Sequence, residues 1–69
     1  MIDNLDLATS ARELADSEPP GTLGHAAAAS VAITCATTRD LAQARQTLGG
    51  VSPADVREAA LNLLDRLAG

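Results

Sequence analysis

Not one of the 69 residues is Phe, Trp or Tyr. Aromatic side chains supply the largest buried areas in most cores, so this core has to be assembled from Leu, Val, Ile and Ala. One Cys excludes an internal disulfide, and with a single His no Cys/His cluster offers a structural metal. For a chain this short, the gain from burying apolar surface and the cost of ordering the backbone nearly cancel. A lone monomer is therefore expected to be marginal, and a partner, most simply a second copy, is the remaining source of stability. The expected organisation is one helical domain spanning residues 1–69.

The charge balance narrows the partners. Nine acids against five bases give a net charge of −4. A nucleic-acid binder normally presents a basic face, so no nucleic acid is expected. All the bases are Arg, with no Lys, which fits high-GC codon bias and a bacterial type of composition. Residues 19–38 form a long uncharged stretch, but Pro19, Pro20, His25 and several Ser and Thr leave it too weakly apolar for a membrane span. The acidic start, Met1-Ile2-Asp3-Asn4, lacks the basic flank of a signal peptide. The expectation is a cytoplasmic protein with no membrane partner.

Periodicity reads as an all-α fold, a small bundle of four short helices near 3–17, 22–36, 38–48 and 52–67. In the first, Leu7, Ala8, Ala11, Leu14 and Ala15 fall within one arc. Asp3 is its expected N-cap; a late start at the Ser10/Glu13 capping box would instead leave Ile2 and Leu5 as an apolar arm. Arg12 and Asp16 are spaced as an outer i,i+4 pair. Pro19-Pro20-Gly21 ends the segment.

The second helix carries small or apolar residues all round: Leu23, Ala27, Val31 and Cys35 on one side, Ala26, Ala29, Ile33 and Ala36 on another. Such a helix is expected at the centre of a bundle. Residues 30–38 also alternate like a strand, but no second strand pattern exists to pair with them. Thr37 or Thr38 is the expected cap of the third helix, with Asp40 in its first turn and Leu41, Ala44 and Leu48 as its stripe. Helices two and three could also run on as one. Gly49-Gly50 is the expected turn.

The last helix has the most explicit local code. Ser52 reads as N-cap, Pro53 as N1 and Asp55 as N3, with Val51 and Val56 as a hydrophobic staple. Val56, Ala59, Ala60, Leu63, Leu64 and Leu67 define its apolar arc, which Leu61 and Ala68 widen to roughly 200°. One core face needs about half that width. The surplus has two readings of equal weight: packing from two sides inside the bundle, or an intermolecular surface. The second assigns Val56, Ala60, Leu61, Leu64, Leu67 and Ala68 to an interface, holding a homodimer or a tight hetero-complex, with Arg57, Asp65 and Arg66 pairing across the rim.

Catalysis has little to work with. His25 and Cys35 on one helix would stand about 15 Å apart along its axis, too far for a nucleophile and its base. No GxGxxG, P-loop or HExxH spacing occurs. Neither an enzyme nor a cofactor site is expected.

Two resemblances bear on function. Small acidic helical chains resemble acyl or peptidyl carrier proteins, whose Asp-Ser at a helix start holds phosphopantetheine. The one Asp-Ser here, Asp16-Ser17, is followed by Glu18-Pro19-Pro20 at a helix end. Separately, Thr38-Arg39-Asp40-Leu41-Ala42-Gln43 through Gly50-Val51-Ser52-Pro53-Ala54-Asp55-Val56 is similar to a helix-turn-helix. That resemblance covers less than half the chain, with extra residues at 46–49, and implies a DNA-binding regulator. Arg57 on its second helix is flanked by Asp55 and Glu58, both repelled by phosphate. The leading expectation is a non-catalytic protein–protein interaction module (adaptor, accessory subunit or inhibitor-type partner), and the alternative is the DNA-binding regulator.

Overall fold

The computed structural model describes residues 3–69 as four helices: α1 (Asn4–Ser17), α2 (Leu23–Thr37), α3 (Leu41–Leu48) and α4 (Ala54–Ala68). The described residues contain no strand, so 30–37 is helical throughout. Helix α2 packs against α1, α3 and α4, and α4 also meets α1 and α3. The accessible surface is 4268 Å², close to the roughly 4,000 Å² expected of a folded monomer of this mass.

Helix α1 begins at Asp3, whose carboxylate accepts from the Asp6 N–H at 2.9 Å. The late start at Ser10 is not taken, and Leu5 lies within the helix. Ile2, the other half of the expected apolar arm, lies outside the described residues. Leu7, Ala8, Ala11 and Ala15 are buried as their periodicity requires, and Leu14 packs at the core's edge.

The link from α1 to α2 is one tight turn. The Thr22 N–H donates to the Pro19 carbonyl at 3.3 Å, and Gly21 stands at φ 86°. Pro at the second position and a left-handed Gly at the third are what a type II turn demands. Thr22 then caps α2, accepting from the His25 N–H. The imidazole of His25 reaches back across the turn, its Nδ1 hydrogen-bonding the Ala15 carbonyl at 2.9 Å. That carbonyl, in the last turn of α1, also accepts from the Glu18 N–H at 3.2 Å, so the imidazole adds a second bond to it.

Helices α2 and α3 are separate, contrary to the continuous alternative, and the cap between them is not a threonine. The Thr37 hydroxyl donates to the carbonyls of Ile33 and Thr34, and the Thr38 hydroxyl to that of Thr34. Both threonines therefore serve the end of α2. Asp40 caps α3, accepting from the Gln43 N–H at 2.8 Å, while the Gln43 side chain accepts from the Arg39 N–H. Asp40 thus stands one step before the first turn in which the sequence placed it.

Asn4, unremarked in the sequence, is one of two buried polar residues among the described residues. Its Nδ2 donates to Thr38 Oγ1 at 2.9 Å and to the Asp40 carbonyl at 3.0 Å. These bonds fix the start of α1 to the α2–α3 junction. Together with the His25 bond they set an antiparallel register, with residue 4 beside 38 and residue 15 beside 25.

The start of α4 corrects the expected code. Ser52 makes no cap, because Pro53 is itself the N-cap residue, with an extended ψ of 174° and no side-chain cap bond. The first helical bond runs from the Arg57 N–H to the Pro53 carbonyl, and Asp55 accepts from the Val56 N–H. The helix starts at Ala54, which puts Val51 and Val56 out of register for a staple. Val51 packs on the core while Val56 stays half-buried.

Candidate interaction surface

The expected interface on α4 falls mostly inside the bundle. Ala60 and Leu64 are 0% exposed, and Leu61, Leu67 and Ala68 pack against the core as partly buried neighbours. Val56 is half-buried. The wide arc is consumed because α1, α2 and α3 all contact this helix. Ala60 and Leu64 therefore cannot meet a partner without opening the fold. Nor does Asp65 stand free for an intermolecular pair, since it pairs with Arg45 of α3. Both side chains of that ion pair are about half exposed, so its contribution is small.

The large exposed apolar side chains of the described residues lie on α1 and α2 instead. Leu5 of α1 is 66% exposed and Ile33 of α2 67% exposed. Leu5 and Ala36 line one groove of about 360 Å³ with Ala8, Arg12, Glu13 and Asp16. The antiparallel register carries this surface along α2: Ile33 comes level with Ala8, and Ala29 with Arg12. On a helical wheel Ala26, Ala29, Ile33 and Ala36 share one face. Ile33 and Ala36 are exposed and Ala26 and Ala29 half-buried, whereas Ala28, Val31, Ala32 and Cys35 on the other faces are buried. Helix α2 is thus central in its contacts yet uncovered along one stripe, so its uniformly apolar composition reports both a core helix and an open face.

The charges bordering this surface are unevenly distributed in a way the whole-chain balance conceals. Residues 3–18 hold five acids and one base, Arg12, which accounts for the entire net charge of −4. Residues 19–69 hold four acids and four bases, and α2 between them has no Asp, Glu, Lys or Arg at all. Counting charge segment by segment would have found this in the sequence. Arg12 and Asp16 do not form their i,i+4 pair; among the described residues the only ion pair is Arg45–Asp65.

The remaining chemistry-bearing groups are structural. Cys35 is fully buried and unpaired, and burial pushes its thiol above the ordinary value. A thiol so placed is a poor nucleophile. His25 is committed to the Ala15 carbonyl. No group of three or more His, Cys, Asp or Glu among the described residues converges as a metal site. A second hollow, of about 450 Å³, lies where Asp3, Arg39, Asp40 and Ala68 meet. Asp40 is already engaged there as a cap. No helix of the described residues is long and apolar enough to cross a membrane. No family model, curated protein or solved structure matches the chain.

Proposed function

We propose that this protein is a non-catalytic, acidic helical interaction module that docks on a protein partner through the exposed face of α1 and α2. The observation that carries the reading is the pair of large apolar side chains, Leu5 and Ile33, each about two-thirds exposed on adjoining helices. Contiguous apolar surface rimmed by polar groups is characteristic of protein–protein contacts. The lone buried thiol suits a reducing compartment, in keeping with a cytoplasmic location. Two of the six residues expected at an α4 interface, Ala60 and Leu64, are enclosed, which favours the α1–α2 face as the docking surface.

A Leu5→Ser/Ile33→Ser double variant tests the reading. It should fold like the parent, by circular dichroism and urea unfolding, yet lose a protein that the parent retains in affinity capture from its source cell. Capture of the same proteins by both forms, or of none by either, would count against it. Anisotropy titration with random duplex DNA separates the helix-turn-helix alternative: no binding is expected at physiological salt, and submicromolar binding would favour the alternative.

A further inference from the structure

We infer that the occupant of the α1–α2 face is an amphipathic helix with a basic rim, supplied by another protein rather than by a second copy of this chain. The inference rests on the interaction-module reading above and adds the chemistry of the partner.

Shape comes first. Two antiparallel helices joined by a tight turn leave a groove between them, with Leu5 and Ala36 on its walls. Ile33 stands exposed on α2 outside the groove's lining, and the small side chains of Ala29 and Ala36 flank it at one helical turn in either direction. Small residues on both sides of a large one allow a third helix to approach closely and seat its own side chains beside Ile33. An apolar stripe at i, i+3, i+4 and i+7 is the complementary pattern, the helix-in-groove mode of recognition.

Charge then selects the occupant. All of the net −4 lies on residues 3–18; Glu13, Asp16 and the one base, Arg12, line the groove itself, and Asp3, Asp6 and Glu18 lie outside that lining on the same segment. A second copy would bring an equally acidic α1 to the same face, and like charges set against one another oppose association. A two-fold contact could pair Arg12 with an acid of the other copy, but each copy has one such base against five acids. A helix carrying Lys or Arg beside its apolar stripe is attracted by the same acids and gains speed of encounter from them. Nucleic acid is repelled by this face, and a membrane with anionic lipids likewise.

The test is a selection that presupposes no partner. A display library of helical peptides, about 20 residues each, is panned on the intact protein and counter-selected on the Leu5→Ser/Ile33→Ser variant. The expected winners share an apolar i, i+3, i+4, i+7 stripe flanked by Lys or Arg. Their affinity should drop at least about tenfold on the double variant and weaken as salt rises. Removing the one base, Arg12→Gln, should tighten their binding. In a heteronuclear titration the amide shifts should cluster on α1 and α2 and leave the end of α4 unmoved.

Winners that depend on Leu5 and Ile33 but are neutral or acidic would overturn the basic partner and leave the interaction module standing. A parent protein that sediments at twice 7.0 kDa, with the double variant at the single mass, would name a second copy as the occupant and overturn the inference. A library yielding nothing that separates parent from variant would overturn both readings.

Discussion

Helix α4 and the outer face of α2 present opposite cases. Helix α4 has a wide apolar arc beside a charged face, yet Ala60 and Leu64 are fully enclosed and Leu61, Leu67 and Ala68 pack at the core's edge. Helix α2 is uncharged, with small or apolar residues on every side, and lies against every other helix, yet exposes Ile33 at 67%. The width of an apolar arc does not report whether that surface is free. It reports how much must be covered, and the number of neighbours decides the rest. Helix α4 meets three helices, whereas the stripe of α2 from Ala26 to Ala36 is only half-covered at Ala26 and Ala29 and is exposed at Ile33 and Ala36.

Breaking the comparison at its buried end should have the largest effect. Leu64→Ala removes a fully enclosed side chain and is expected to cost about 3 kcal/mol, read from the urea midpoint at constant m-value. A loss under about 1 kcal/mol would mean that Leu64 is not enclosed. Next comes Asn4→Ala, which removes two hydrogen bonds, while the Asp40 carbonyl keeps the Ala44 N–H and the Thr38 hydroxyl keeps the Thr34 carbonyl. A hydrogen bond contributes about 1 kcal/mol net, so about 2 kcal/mol is expected for the pair, with faster amide exchange at the α2–α3 junction as the accompanying signal.

The two helix starts sharpen the comparison further. Asp40→Ala should cost about 1 kcal/mol by removing a working cap. Ser52→Ala should stay within about 0.5 kcal/mol, as at an ordinary exposed position, because Ser52 caps nothing. Equal losses at the two positions would contradict the assigned start of α4.

Cys35 gives a pH test of the core. Its thiol is held above the ordinary value of 9.0 by burial, so the folded state keeps a proton that the unfolded state releases. That contribution is complete below about the unfolded value and is lost as the pH rises through it toward the folded value. Stability of the parent should therefore fall above pH 9.0 more steeply than that of Cys35→Ala, and equal slopes would place the thiol in water. The smallest effect belongs to the open face: Leu5→Ser and Ile33→Ser should each shift stability by no more than about 0.5 kcal/mol.

Much of the fold is legible in the residues, and the exceptions have physical causes. The four helices follow from period and punctuation, and Asp3, Leu7, Ala11, Ala44 and Leu48 take the roles their positions imply. The caps of α3 and α4 differ from the expected Thr37 or Thr38 and Ser52 because several residues in each junction can serve. Asn4 occupies the Thr38 hydroxyl from 34 residues away, a contact no local pattern encodes. At Ser52-Pro53 the backbone of the proline turns extended, so the helix begins one residue late. The candidate surface was half visible: the sequence placed Ala26, Ala29, Ile33 and Ala36 on one face of α2. The wide arc of α4 left two readings open, packing from two sides or an interface, because arc width does not say how many neighbours a helix has. The concentration of charge on residues 3–18 was present all along and disappears only when the chain is summed as a whole.

Thiol labelling tests the central contrast most directly. In a Cys35→Ala background, Ile33→Cys and Leu64→Cys each introduce one reporter, and each is treated with a thiol reagent under native conditions over a range of protein concentrations. The account predicts that the reporter at 33 reacts at close to the rate in urea-unfolded protein, independently of concentration. The reporter at 64 should react at least about a hundredfold more slowly, limited by opening of the fold. Rapid labelling at 64, or a reporter at 33 that becomes protected as the concentration rises, would contradict it.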